Sequence, residues 1–211
     1  MKPKANRQGD LKKSNGFDRC QTPAYALDPL LPHLRNDWII WEPAAGEGNI
    51  VNALKAHGHG VIGTDILEGK NFFEWVPARW NCVVTNPPYS IKYEWLEHCY
   101  DLGKPFALLL PVETLGAATA QRLFDKHGFE IMFLNRRVNF KMPNKGYAGS
   151  AAQFPVAWFT YGLGIGSQVT FSKITARDDS QLSLLGHYVP IAIGDDARGS
   201  PKMAMLHMVN A

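Results

Sequence analysis

The sequence predicts an α/β fold in which a mostly parallel sheet carries helices on both faces. Three observations point there. From Trp38 onward, short apolar runs alternate with stretches of helical spacing. Runs such as CVVT (82–85) and FALLLP (106–111) are apolar throughout rather than at every second residue, as strands covered on both faces are. Glycines, an acid and a diproline stand immediately after such runs, where parallel sheets hold their ligands.

WIIWEP (38–43) reads as the first strand, and NIVNALKAHG (49–58) as a helix closed by Gly58. GVIGTDI (60–66) and NCVVT (81–85) are further strands. SIKYEWLEHCYDLG (90–103) has the apolar spacing of a helix. PFALLLP (105–111) is a wholly apolar strand, followed by ETLGAATAQRLFDKHG (113–128), a helix ending at Gly128. FEIMFL (129–134) and FPVAWFTY (154–161) are the last clear strands. There is no internal repeat, and after about Ile174 the pattern decays. The expected organisation is a flexible basic arm, 1–16, a main domain, 17–175, and an extension, 176–211. The extension is either poorly ordered or a small recognition element. The arm carries Lys2, Lys4, Arg7, Lys12 and Lys13 with few apolar anchors, as a solubilising tail also would.

With 211 residues, 45% hydrophobic and 19% charged, the chain is long enough to bury one proper core. A formal charge of +3 permits a nucleic-acid partner without demanding one. Cys20, Cys82 and Cys99 lack metal-site spacing and are expected as reduced core thiols of a cytoplasmic protein. His57 and His59 have no third ligand nearby, so a solvated turn is expected there and no metal. The start of the chain has no apolar leader. The run FALLLPV (106–112) is far too short to span a bilayer, and no membrane association is expected.

Three loops carry the chemistry. EPAAGEGN (42–49) follows the first strand, and Gly46 and Gly48 permit a tight turn and close approach of a ligand to the backbone. Val51 stands where a dinucleotide fingerprint has its third glycine, which argues against a pyrophosphate. A ligand-free glycine turn would read the same. TDILEG (64–69) places Asp65 at the end of the next strand, where an acid can accept both hydroxyls of a ribose. In KNFFEW (70–75), Asn71 can meet an adenine edge while Phe72 or Phe73 lies on the ring face. NPPY (86–89) stops a strand with two prolines that donate no backbone hydrogen bond. Alone, it is as readily a rigid turn.

EPAAGEGN, then TDI, then an apolar strand ending in NPPY resembles the class I amino-methyltransferases, which transfer a methyl group from S-adenosylmethionine to a nitrogen. Upstream, DRCQTPAYALDPLLPHL (18–34) resembles their cofactor segment, in which a Thr-Pro pair, here Thr22-Pro23, precedes a helix packed over the cofactor. The order of the segments is that of the small adenine-N6 DNA methyltransferases of bacteria and phages, and the resemblance covers roughly residues 17–161. It implies a Rossmann-like methyltransferase fold with a seven-stranded, mostly parallel sheet. It also implies a cofactor site made of Thr22, Pro23, Glu42, Ala44, Gly46, Gly48, Asp65, Ile66, Asn71, Phe72 and Asn86. Catalysis falls to Asn86, Pro87, Pro88 and Tyr89.

The chemistry accounts for NPPY. An adenine amine is a poor nucleophile because its lone pair is delocalised into the ring. The Asn86 side-chain oxygen and the Pro87 carbonyl can accept its two N–H groups and bear its growing positive charge, while the prolines hold both acceptors still. Tyr89 can stack on the base. A base in duplex DNA must first leave the stack. NRRVNFKMPNKGYAGS (135–150) looks like the loop that receives it. Phe140 is either the aromatic against the base or a core residue, and Arg136, Arg137, Lys141 and Lys145 are candidate phosphate contacts.

Two features depart from the family pattern. Asn71 stands where an acid is more usual, and no large target-recognition domain is present, so specificity is relaxed or supplied by a partner. The reading is adenine-N6 methylation of double-stranded DNA, with marking against restriction nucleases as one implied role. RNA adenine methylation, methylation of a protein glutamine and a cofactor-binding subunit without activity are the alternatives.

Overall fold

The computed structural model describes residues 20–142, 146–147, 154–174, 191–195 and 201–204. The arm 1–16 and Lys145 lie outside them. Cα packing divides the chain into two compact units, Met1–Thr175 and Ala176–Ala211.

In the first unit, β1 (Ile39–Glu42) leads through α1 (Asn49–Ala56) to β2 (Gly60–Gly63). β3 (Cys82–Thr85), α2 (Lys92–Asp101), β4 (Phe106–Pro111), α3 (Ala118–His127) and β5 (Glu130–Leu134) follow. A two-residue ladder joins β6 (Lys141–Met142) to β7 (Gly146–Tyr147), and β8 (Val156–Tyr161) and β9 (Val169–Ser172) complete the unit. Seven strands form one sheet in the order β2-β1-β3-β4-β8-β5-β9. All its pairings are parallel except those of β8, which runs antiparallel to both β4 and β5. The expected α/β sheet is therefore present, mostly parallel and seven-stranded. In the second unit, β10 (Ile191–Asp195) and β11 (Pro201–Ala204) pair antiparallel.

Apolar residues along each strand alternate between two core layers. Ile40 and Trp41 of β1 face opposite layers, as do Leu109 and its neighbours Leu108 and Leu110 in β4, and Trp158 and Phe159 in β8. These side chains are almost wholly withdrawn from water, and each stabilises the fold by about 1.5–3 kcal/mol through burial. The strand β9 escapes sequence reading because it is an edge. Val169 and Phe171 are 45% and 81% exposed, so SQVTFS has none of the continuous apolar character of its neighbours.

Several local expectations are corrected. The segment after Thr22-Pro23 is not an α-helix. It forms two 3-10 turns, Ala24–Leu27 and Leu31–His33, because Pro29 and Pro32 remove the amide donors a longer helix needs. The segment is nonetheless fixed, since Tyr25, Ala26, Leu27 and Leu30 are core and Trp158 Nε1 donates to the Ala26 carbonyl at 2.7 Å. The helix expected over 113–128 breaks at Ala117, whose extended backbone separates a 3-10 turn, Val112–Gly116, from α3. His59 is buried rather than solvated, whereas His57 is exposed. Cys82 and Cys99 are buried free thiols, but Cys20 is only half-buried.

Val51 finds its room by a different route from the one the glycine fingerprint uses. A Cβ on Gly63 would lie 2.8 Å from Val51 Cγ2, so the missing side chain is on β2 and α1 still packs closely on the sheet. From β1 the chain crosses to β2 on one side and returns to β3 on the other. The loops leaving β1 and β3 therefore diverge and open a crevice at their carboxyl ends. Among the described residues, no helix is long and apolar enough to cross a membrane.

Candidate active site

The loop after β1 is built on a buried carboxyl group. Glu42 is fully buried, and its Oε1 accepts from the Ala44 amide at 2.9 Å and from Thr85 Oγ1 at 2.5 Å. Burial pushes its pKa up to about 8, against the opposing pull of those two donors. The other oxygen, Oε2, has no partner among the described residues. Gly46 and Gly48 have φ of 51° and 86°, left-handed values that favour glycine, and Gly48 leads directly into α1.

The loop after β2 is tied to the first. The Asp65 carboxylate accepts from the Gly46 amide at 3.0 Å and from the Leu67 amide at 2.9 Å. Thr64 adds a second tie: its amide donates to the Glu42 carbonyl, and its own carbonyl accepts from Ala45. Thus the Asp65 carboxylate is held in place before any ligand arrives, with lone pairs on both oxygens remaining.

The loop after β3 is the NPPY segment. Pro87 is buried, and Pro88 has φ of −56° and ψ of 121°, which ends the strand and starts the 3-10 turn Tyr89–Ile91. Asn86 is half-buried, and its Oδ1 is shut off from solvent yet accepts no hydrogen bond from the described residues. Tyr89 lies between the two core layers, its ring centroid 5.8 Å from that of Phe154. The antiparallel sense of β8 brings Phe154 there: the residues entering that strand sit at the end of the sheet where β4 finishes.

These loops line a cleft of about 400 Å³. Seven of the expected cofactor residues form its wall: Ala44, Gly46, Asp65, Ile66, Asn71, Phe72 and Asn86. Pro88 joins them from the NPPY loop, whereas Pro87 and Tyr89 do not line this cavity. Thr22 is only 3% exposed, and neither it nor Pro23, Glu42 or Gly48 reaches the wall; the neighbouring Cys20 and Gln21 do. Asn71 turns its Oδ1 to the Phe73 amide at 3.2 Å. Phe72 stacks on Trp95, with centroids 4.1 Å apart and planes 14° from parallel, so one rigid aromatic pair backs the cleft.

The expected nucleic-acid residues do not form one group. Phe140 is 7% exposed and belongs to the core layer that holds Tyr25 and Leu27, so it presents no open face to a base. Arg136 and Arg137 are exposed just beyond the carboxyl end of β5. Lys141 pairs with Glu47 at 2.8 Å, and its backbone exchanges two hydrogen bonds with Gln21, at 2.9 and 3.0 Å.

No protein-family model matches this chain, and no curated protein matches it by sequence. Solved structures do share its architecture. A putative class I S-adenosylmethionine-dependent methyltransferase from Listeria monocytogenes superposes with a TM-score of 0.50 at 13% identity, over 84% of this chain and 72% of that one. The chain has a methyltransferase fold. The methyltransferase subunit of a type I restriction-modification system from Streptococcus thermophilus superposes equally well, with a TM-score of 0.50 at 16% identity. That match covers 84% of this chain but only 54% of the subunit, so the chain spans about half its length.

On this fold the cleft wall also holds residues that were not foreseen, Gln21 and Trp95 among them, and Phe154 stands near the site. Trp95 was legible as an apolar position of α2, but only packing shows that it backs Phe72. Gln21 precedes the Thr-Pro pair, and a lone glutamine carries no sequence signal of its own. Phe154 becomes visible only once the direction of β8 is known.

Proposed function

We propose that the chain binds S-adenosylmethionine in this cleft and transfers its methyl group to the N6 amine of adenine in DNA. The observation that carries the reading is Asn86 Oδ1, an amide oxygen at the cleft, buried and without a donor among the described residues. A buried acceptor left unpaired costs about 1–3 kcal/mol, and a substrate amine would relieve that cost.

The residues present fit the cofactor. Asp65 offers two fixed carboxylate oxygens for ribose hydroxyls. The Phe72 wall suits a purine, and Asn71 stands at its edge. Bound there, the cofactor supplies a methyl group on a positively charged sulfonium. Asn86 Oδ1 and the Pro87 carbonyl then accept the two N–H groups of the adenine amine and turn its lone pair toward that methyl group. Their partial negative charges stabilise the nitrogen as it becomes positive. In such a transfer a nitrogen–carbon bond would replace the cofactor's sulfur–carbon bond, and the surplus nitrogen proton would leave to water. Tyr89 supports the ring of the base, and Arg136 and Arg137 contact phosphates.

Incubation with isotopically labelled cofactor and either double-stranded DNA or RNA, followed by nucleoside mass spectrometry, tests the reading. N6-methyladenine in the DNA is the expected result. Label in RNA alone would move the substrate, and cofactor binding without transfer would make the chain a non-catalytic subunit.

A further inference from the structure

The positive charge of this chain is unevenly placed. Residues 1–16 hold five cations, Lys2, Lys4, Arg7, Lys12 and Lys13, against one acid, Asp10. Residues 17–175 hold fourteen Lys and Arg against fourteen Asp and Glu, and residues 176–211 hold three against four. The whole excess that makes the chain +3 therefore lies in its first sixteen residues.

The cleft itself offers a polyanion little. Among the described residues, the charged members of its wall are Glu47, Asp65 and Glu68, with no lysine or arginine. Lys141 is held by Glu47 at 2.8 Å, and Lys92 lies 3.8 Å from Glu113. Arg136 and Arg137 are the cations assigned above to phosphates. Two such contacts give duplex binding a slope of only about 2 in log affinity against log salt. Five more cations bring the contacts to about seven, in the range of about 6–10 for which duplex affinity falls by orders of magnitude as salt rises.

The fold delivers the basic segment to this place. Cys20 and Gln21 form part of the cleft wall, and Gln21 is fixed there by two backbone hydrogen bonds with Lys141, at 2.9 and 3.0 Å. A chain extends at most about 3.6 Å per residue, so Lys12 and Lys13 stand no more than about 30 Å from Cys20. A duplex carries one negative charge per about 1.7 Å of its axis, so that reach takes in many phosphates. A solubilising tail has no need to join the fold at a ligand cleft.

Resting on the DNA reading above, we infer that segment 1–16 is the main phosphate-binding element for duplex DNA, gripping the backbone beside the target base.

Fluorescence anisotropy with a labelled duplex, run from low to high salt, tests this on the full chain. The comparison is with a variant carrying Lys2→Gln, Lys4→Gln, Arg7→Gln, Lys12→Gln and Lys13→Gln together. The variant should lose about 2–4.5 from the slope, for two to five phosphate contacts at about 0.9 each. Its Kd for S-adenosylhomocysteine, read by calorimetry, should equal the parent's and shows that the fold is intact. Equal slopes for parent and variant would make the segment a solubilising tail and overturn the inference. A parent that binds RNA but not duplex DNA would overturn it too. A parent that shows the slope difference yet transfers no methyl group is a separate result: it defeats the adenine reading and leaves this inference standing.

Discussion

Thr85 Oγ1 donates to Glu42 Oε1 at 2.5 Å, a buried bond that joins the last residue of β3 to the last residue of β1 across the crevice. It fixes the spacing between the glycine loop and the NPPY loop at their roots. One carboxyl oxygen thereby serves two donors, while burial favours the protonated acid.

A pH dependence of stability follows. The Glu42 pKa is raised on folding from an ordinary 4.5 to about 8, so the folded chain binds this proton more tightly than the unfolded chain. Its stabilising contribution is complete below about pH 4.5 and is lost as pH rises through about 8. Glu42→Gln stays neutral throughout. In urea titrations its stability should remain flat across that window, while the parent loses on the order of a few kcal/mol.

Asn86→Ala should lower kcat by about 10²–10³-fold, the typical effect of removing one group that stabilises transition-state charge. Cofactor Kd should change little, because the amide oxygen acts on the amine. Single-turnover transfer with calorimetry on the same protein separates the two. A variant that keeps most of its turnover would remove Asn86 from catalysis.

Asp65→Ala removes the acceptor for the Gly46 and Leu67 amides as well as the ribose contact. Cofactor affinity should fall at least about tenfold. Asp65→Asn keeps one acceptor oxygen and should lie between the parent and Ala. Equilibrium dialysis with labelled cofactor reads the order of the three proteins.

Phe140→Ala should behave as a core truncation. A loss of about 3–5 kcal/mol is expected in denaturant unfolding, from a cavity beneath the 20–34 segment. A stable variant with selectively weakened substrate binding would return Phe140 to the base pocket.

Arg136 and Lys141 should separate in salt titrations of nucleic-acid binding. Each phosphate contact contributes about 0.9 to the slope of log affinity against log salt for duplex DNA. Arg136→Ala should lower that slope by about this amount. Lys141, already paired with Glu47, should leave it nearly unchanged.

Much of this arrangement was legible in the residues themselves. The inner strands are apolar throughout because both faces are covered, and Gly46, Asp65 and Asn86 stand where those strands stop. These are local facts, set by backbone sterics and by the period of burial. The helix expected after Thr22-Pro23 failed on equally local grounds, the missing amide donors of Pro29 and Pro32.

What tertiary structure decided is pairing and direction. An apolar run announces burial but not the sense of its strand, so only the fold turns β8 antiparallel and brings Phe154 near Tyr89. Phe140 is equally suited to stacking on a base or to filling a core, and its neighbours chose the core. Gln21 meets Gly46, and Lys141 meets Glu47, across separations of 25 and 94 residues. No periodicity extends that far, because such contacts exist only after the chain has closed its long loops.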